Sequence, residues 1–259
     1  MSKLALVGGS SAGIGKAVAE GLLKSGMDVI LTARDRERLG MTEAALKNKY
    51  TGRKVYAFAS DYSSSKSVED LILSINNGPG APDVLVLNTG GPKAGTFDDI
   101  SVEDWESAFQ QQFKSSLMLL KAFLPGMRKK KWGRVINVSS TIAVEPTVGM
   151  ILSAGYRAML INAIKCAAHL AGKDGITMNT VCPGAVLTDR LLSLFKDQAK
   201  SSGKTEKEIL EIAAKTIPLQ RIASPEEFAH MTLFLASEDA SFISGTVIPV
   251  DGGMVRKSP

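Results

Sequence analysis

The chain contains few of the residues that would build a disulfide framework or a metal centre. Its 259 residues include 2 cysteines and 2 histidines, too few to indicate a metal site. Cys166 and Cys182 lie in helix-like and strand-like apolar runs, which predicts buried, reduced thiols. No run reaches the roughly 18 apolar residues of a membrane span, and residues 1–9 are too short and too rich in glycine for a signal segment. We therefore expect a soluble, cytoplasmic protein with no membrane partner.

The chain also has little excess charge of either sign. It carries 31 Lys+Arg against 26 Asp+Glu, a net charge of +5. The densest basic run, 128–131, falls where a helix should end, and cations there complement the helix dipole. A nucleic-acid surface usually interleaves such residues with aromatics, but only Trp132 follows this run. We expect a small-molecule substrate and no nucleic-acid partner.

Short apolar runs alternate with helix-length amphipathic segments along the whole chain. Seven runs are predicted to be strands, at 4–7, 29–32, 55–59, 84–87, 135–138, 177–181 and 246–250. Helix-start signals stand between them, a capping box at Ser101 and a serine–proline start at Ser224. Apolar strands alternating with helices predict an α/β fold, a doubly wound, Rossmann-type parallel seven-stranded sheet with helices on both faces. The length favours one domain spanning 1–259.

One segment, at about 188–218, departs from this rhythm. It inserts a polar helical region rich in lysine and serine between the sixth strand and the last helix–strand unit. Ligands bind at the carboxyl ends of the strands in open α/β sheets, so this insertion fits a substrate lid. A plain surface helical hairpin is the alternative.

A glycine-rich loop follows the first predicted strand and leads into a helix. Glycines at 9, 13 and 15 allow a tight turn and let backbone N–H groups approach a pyrophosphate at the helix N-terminus. The spacing G-xxx-G-x-G differs from the common dinucleotide motif, so the prediction depends on the strand–loop–helix context. This context predicts a nicotinamide dinucleotide site.

The end of the second predicted strand discriminates between NADP(H) and NAD(H). An acidic side chain there would bond the ribose hydroxyls and repel a 2′-phosphate. Ala33 occupies that position, and Arg34 offers a planar fork of donors to a phosphate. NADP(H) is therefore preferred, whereas the neighbouring Asp35 keeps NAD(H) possible.

Several further segments, taken with the glycine loop, resemble the short-chain dehydrogenase/reductase family over about residues 3–253. They are Asp61, Asn88-Thr89-Gly90, 133–140, 179–184 and 244–253. Asp61 and Tyr62 are placed to meet the adenine edge, and the Asn88 segment would pass beneath a ribose. Together with this resemblance, these positions imply a cofactor site made of Gly9, Ser10, Ser11, Gly13, Ile14, Gly15, Arg34, Asp61, Tyr62, Asn88, Gly90, Arg157, Pro183, Gly184, Val186 and Thr188.

The resemblance breaks at the catalytic positions. The family uses a strand-end serine, a Tyr-xxx-Lys pair on the next helix and a helical asparagine. Ser140 matches that serine, but the family spacing places Ser153 and Arg157 at the Tyr and Lys positions and Gln112 at the asparagine position. Gly90-Gly91-Pro92 and Leu152-Ser153-xxx-Arg157 resemble a divergent, 3-oxoacyl-carrier-protein-reductase-like branch that lacks Tyr-xxx-Lys.

The source of the proton is left open by these replacements. Serine is a poor proton donor and arginine is too firmly protonated for acid–base work. Tyr156, the loop residue Glu145 and a water held by Ser153 are the three alternatives. The leading interpretation is an NADP(H)-dependent oxidoreductase that interconverts a carbonyl and an alcohol by hydride transfer. A nicotinamide-dinucleotide-binding protein without redox turnover, a sensor or an oligomer partner, is the alternative.

The resemblance also implies a homo-oligomer, a tetramer or a dimer. The family commonly assembles through the helices that correspond to 102–129 and 152–171 and through the C-terminal strand. Those segments are apolar enough here to permit such assembly.

Overall fold

The computed structural model describes residues 2–256. Its seven strands form one parallel sheet in the order β3-β2-β1-β4-β5-β6-β7. The strands are β1 (Leu4–Gly8), β2 (Asp28–Ala33), β3 (Val55–Ala59), β4 (Val84–Leu87), β5 (Gly133–Val138), β6 (Ile176–Pro183) and β7 (Val247–Val250). All seven predicted strands are confirmed, with small shifts at their ends.

Nine α-helices connect these strands within residues 2–256. They are α1 (Gly13–Lys24), α2 (Arg36–Lys49), α3 (Ser65–Asn77), α4 (Val102–Ala108), α5 (Ser115–Lys130), α6 (Ile151–Ala171), α7 (Asp189–Ser202), α8 (Glu206–Thr216) and α9 (Pro225–Ala236). The predicted helix starts are confirmed, because Ser101 and Ser224 both form capping boxes and Pro225 begins α9. None of the helices in this part of the chain is long and apolar enough to cross a membrane.

Two apolar cores cover the two faces of the sheet. One core packs α1, α2 and α9 against the strands, through buried residues such as Leu22, Leu39 and Phe228. The other packs α3, α5 and α6 on the opposite face, through residues such as Leu71 and Phe123. Strands covered on both faces are apolar along their whole length, which explains why the predicted runs did not alternate.

The prediction of two buried thiols is wrong for one of them. Cys182 is buried on β6, but Cys166 is exposed on α6. The buried face of α6 is set by Leu160, Ile164 and Ala168, and Cys166 lies two residues, about 200° of helical rotation, beyond Ile164. The apolar composition of α6 concealed which face points outward.

The helix between β4 and β5 contains a π-helical segment. Phe109–Lys114 adopts π-helical hydrogen bonding and joins α4 to α5. Such segments are often found at functional sites, and this one carries Gln112. The basic run at the end of α5 forms ion pairs instead of an open patch: Lys130 pairs with Asp83, and Lys131 with Asp174.

Candidate active site

The loop between β1 and α1 is shaped by close backbone contacts that only glycine allows. A Cβ on Gly15 would lie 2.2 Å from the Gly9 carbonyl oxygen, and one on Gly8 would lie 2.3 Å from the Asn88 carbonyl oxygen. Gly13 has a φ of 52°, in the left-handed region. Ala12, the N-cap of α1, supplies no capping side chain, so the first N–H groups of the helix are available to an anion.

Two adjoining cavities open along the carboxyl ends of the strands. The first is bordered by many of the predicted site residues: Gly9, Gly13, Ile14, Gly15, Asn88, Gly90, Ser140, Ser153, Arg157, Pro183, Gly184, Val186 and Thr188. The second is bordered by Ser11, Arg34, Asp61 and Tyr62, and it shares Gly9, Asn88 and Gly90 with the first. The fold thus brings most of the predicted cofactor residues to one continuous cleft.

Two of the predicted cofactor residues play a more structural part than the sequence indicated. Ser10 is fully buried, and it fastens the loop to β2 because its Oγ accepts a hydrogen bond from the Thr32 N–H at 2.9 Å. The ring of Tyr62 packs into the core beside α3 while bordering the second cavity. Burial raises the pKa of Tyr62, so its hydroxyl stays neutral.

Within residues 2–256, the end of β2 carries a guanidinium without an ion-pair partner, that of Arg34, and a carboxylate that caps a helix, that of Asp35. Arg34 is exposed and borders the second cavity. Asp35 is the N-cap of α2, and its Oδ1 accepts a hydrogen bond from the Arg38 N–H at 3.0 Å. Asp35, which left NAD(H) possible as the cofactor on sequence alone, therefore caps the N-terminus of α2.

Ser140, Ser153 and Arg157 meet at the end of β5. Arg157 Nε donates to Ser153 Oγ at 3.0 Å, and Arg157 Nη1 donates to the carbonyl oxygens of Val138 and Ser139, both at 2.9 Å. Ser140 follows directly in the chain and borders the same cavity. Arg157 is thus locked between α6 and the end of β5.

The guanidinium of Arg157 keeps its charge in this position. Burial lowers the pKa of Arg157 to about 10, which still leaves it protonated at neutral pH. The thiol of Cys182 is buried nearby, and burial raises its pKa to about 11, so it is neutral. The site therefore holds a fixed positive charge beside two serine hydroxyls.

Gln112 lies behind the cleft, where its amide supports a loop. Its side chain is 2% exposed, and its Nε2 donates to the carbonyl oxygen of Gly90. It does not border either cavity. Gln112 therefore supports the segment after β4 from the π-helical turn.

The structure places Tyr156 and Glu145 away from the cleft. The Tyr156 hydroxyl donates to the Trp105 carbonyl oxygen at 2.9 Å, and its ring packs against Trp105 and Phe109. The Glu145 carboxylate accepts a hydrogen bond from the Arg256 N–H. Tyr156, one of the three alternatives for the proton source, is turned toward α4, because it lies three residues beyond Ser153.

Sequence reasoning missed four residues in the first two turns of α7. Asp189 pairs with Arg38 of α2, and Arg190 Nη2 donates to the Pro92 carbonyl oxygen at 2.9 Å. Leu191 and Leu194 of the same helix border the first cavity. These contacts join residues about 100 to 150 positions apart in the chain, so no local pattern predicts them.

The chain is similar to known reductases along almost its whole length. A family model described as enoyl-(acyl carrier protein) reductase matches residues 9–255. The chain is 34% identical over 252 residues to a 3-oxoacyl-(acyl-carrier-protein) reductase of Aquifex aeolicus, covering 97% of each chain.

Two solved structures superpose on nearly the whole chain. L-sorbose reductase from Gluconobacter frateurii, complexed with NADPH and L-sorbose, has a TM-score of 0.94 at 33% identity, covering 99% of this chain and 98% of that one. An NADPH-bound short-chain oxidoreductase from Pseudomonas aeruginosa, described as containing an atypical catalytic center, has a TM-score of 0.87 at 30% identity, with the same coverage.

Proposed function

This chain belongs to the short-chain dehydrogenase/reductase family, and we propose that it is an NADP(H)-dependent oxidoreductase that interconverts a carbonyl and an alcohol in a small molecule. The proposal places the substrate oxygen between Ser140 and Ser153, beside the charge of Arg157. The observation that carries it is the hydrogen-bonded Ser153–Arg157 pair in the same cavity as Ser140 and the glycine loop.

The cleft fits NADP(H). A Cβ on Gly15 would lie 2.2 Å from the Gly9 carbonyl oxygen, and the absence of a side chain at these two positions lets the backbone come close to a diphosphate. Arg34 is free to bond a 2′-phosphate, while Asp35 is engaged in capping α2. The cofactors of the L-sorbose reductase and of the P. aeruginosa enzyme, both solved with NADPH, support this preference.

The catalytic residues stabilise charge and orient a hydroxyl. Bound NADPH supplies the hydride. Arg157 Nε donates to Ser153 Oγ, so the proton of Ser153 is free to point at the substrate oxygen. Ser140 supplies a second hydroxyl, and the fixed guanidinium favours the negative charge that develops on that oxygen.

A water held by Ser153 is the proton source in this proposal. Arg157 remains protonated with its pKa of about 10, and it is therefore a poor acid at neutral pH. The phenol of Tyr156 and the carboxylate of Glu145 are both bonded to backbone groups elsewhere. Ser153 lines the cavity and can pass a proton between water and the substrate oxygen.

Two larger features belong to the same proposal. The insertion at 188–218, formed by α7 and α8 and called the lid below, borders the first cavity through α7 and closes over the substrate. The chain assembles as a homo-oligomer through α4–α5 and α6, where Phe109, Met159 and Leu170 are exposed. Light scattering of the purified protein tests the assembly; a monomer at micromolar concentration contradicts it.

A panel assay tests the proposed activity. NADPH oxidation is followed at 340 nm with ketoacyl, sugar and small ketone substrates, and NADH is the matched control. We expect turnover with at least one class and a preference for NADPH. Tight cofactor binding with no turnover on any of them contradicts the proposal.

That outcome would support the second candidate, a cofactor-binding protein without redox turnover. The observation in its favour is that Arg157 and Ser153 bond each other while the Tyr156 hydroxyl is bonded to the Trp105 carbonyl oxygen. The double variant Ser153→Tyr with Arg157→Lys restores the family pair. New activity in this variant, absent from the wild type, indicates that the site keeps the family's fold but has lost the residues for catalysis.

A further inference from the structure

Two arginines hold the first turn of α7 across the nucleotide cleft. On one side Arg38 of α2 pairs with Asp189. On the other side Arg190 Nη2 donates to the carbonyl oxygen of Pro92, in the loop after β4, at 2.9 Å. The first turn of the lid therefore bridges the cleft from α2 to the β4 loop.

The two arginines differ in how their charge is balanced. Arg38 is neutralised by Asp189, but within residues 2–256 no carboxylate pairs with Arg190. A guanidinium has five N–H donors, and the Pro92 carbonyl engages only one group of Arg190. Arg190 thus carries an unbalanced positive charge with spare donors.

The position of Arg190 shows which ligand group this charge faces. The two cavities share a short border, formed by Gly9, Asn88, Thr89, Gly90, Gly91 and Arg190. A Cβ on Gly91 would lie 3.1 Å from Arg190 Nε, so glycine there makes room for the guanidinium. Arg190 is the one cationic side chain at this border.

We propose that Arg190 binds the diphosphate of the dinucleotide and so ties the lid to the bound cofactor. The inference rests on the proposed function, in which the cleft holds NADP(H). A dinucleotide that fills both cavities must pass its diphosphate through their shared border. Arg190 then faces the diphosphate opposite the N–H groups of α1, and its planar fork suits a bidentate phosphate contact.

Binding measurements on three ligands test this assignment. NADPH contains the diphosphate and the nicotinamide, ADP-ribose 2′-phosphate contains the diphosphate without the nicotinamide, and 2′-AMP contains neither. Dissociation constants are measured by NADPH fluorescence, with the other two ligands as competitors. The variants are Arg190→Met, Arg190→Lys and the control Lys196→Met, which removes an exposed cation from the same helix.

We expect Arg190→Met to weaken NADPH and ADP-ribose 2′-phosphate by roughly tenfold or more, as for a lost charge-assisted hydrogen bond. Its affinity for 2′-AMP should stay within about twofold of wild type, as should all three affinities of Lys196→Met. Arg190→Lys should be intermediate, because an ammonium cannot form the bidentate contact.

Three results would overturn the assignment. Unchanged NADPH binding by Arg190→Met, with or without a raised KM for the substrate, would show that Arg190 does not bind the diphosphate. An equal loss of affinity for 2′-AMP would show that Arg190 acts on the adenosine end of the cofactor. A wild-type protein that does not bind NADPH would refute the proposed function itself, and this failure is distinct because it appears before any variant is made.

Discussion

Two arginines stand at opposite ends of β5, and their surroundings differ. Arg134, at the start of the strand, is 2% exposed. It donates to Glu238 at 3.3 Å and lies 4.5 Å from the centre of the Trp132 ring. Arg157, at the other end, bonds the carbonyl oxygens of Val138 and Ser139 and the hydroxyl of Ser153. Only the first has an acidic partner within residues 2–256.

In the proposed mechanism, this difference separates a charge used for stability from a charge used for chemistry. Glu238 balances Arg134, and burial, which lowers the pKa of Arg134, is opposed by that carboxylate. Carbonyl oxygens fix Arg157 without cancelling its charge. A cation held in this way remains available to a negative oxygen in the cleft.

Removing the charge at the catalytic end should have the largest effect. We expect Arg157→Met to lower kcat/KM by roughly 100-fold or more, the loss typical of a group that stabilises a developing oxyanion. Arg157→Lys should retain part of the activity, because it keeps the charge but loses the bond to two carbonyls at once. Steady-state NADPH oxidation measures both, and equal rates for wild type and Arg157→Met would contradict the comparison.

The matching change at the other end should affect stability instead. Arg134→Met leaves the hydrogen bonds to Glu238 and Ser237 unmade, and we expect a loss of about 2–3 kcal/mol. The melting temperature should fall by roughly 5–10 °C. Turnover per folded molecule should not change. A selective loss of turnover would show that Arg134 also contributes to catalysis.

The smallest expected effect is on how strongly acid lowers the melting temperature. Hydrogen bonding to Lys3 and to Trp132 lowers the pKa of Glu238 from its ordinary value of 4.5. Its stabilisation is therefore complete above that value and is lost as pH falls through the folded-state pKa. Glu238→Gln should reduce the loss of melting temperature between pH 7 and pH 4 by about 1–2 °C. If the melting temperature of the variant falls as much with acid as that of the wild type, other carboxyl groups cause the pH dependence.

The fold was largely predictable because its signals are local. Each strand is a compact apolar run, and the capping boxes at Ser101 and Ser224 lie within four residues. The glycine loop was predictable for the same reason, since Gly9, Gly13 and Gly15 stand at the junction of β1 and α1.

The site was less predictable because it depends on side-chain directions and distant contacts. Helical spacing alone could not show that Tyr156 packs on Trp105. The π-helical turn that places Gln112 under Gly90 has no sequence signature that we could identify. The contacts of Arg190 arise only when the lid meets the β4 loop.

In the proposed mechanism, Ser153 together with Arg157 takes the place of a catalytic tyrosine. The most direct measurement compares kcat and NADPH affinity in Ser153→Ala and Tyr156→Phe, using the best substrate from the panel. We expect Ser153→Ala to lower kcat by roughly 100-fold with NADPH affinity intact, whereas Tyr156→Phe should keep kcat within about twofold of wild type. A large loss in Tyr156→Phe with an active Ser153→Ala would contradict it.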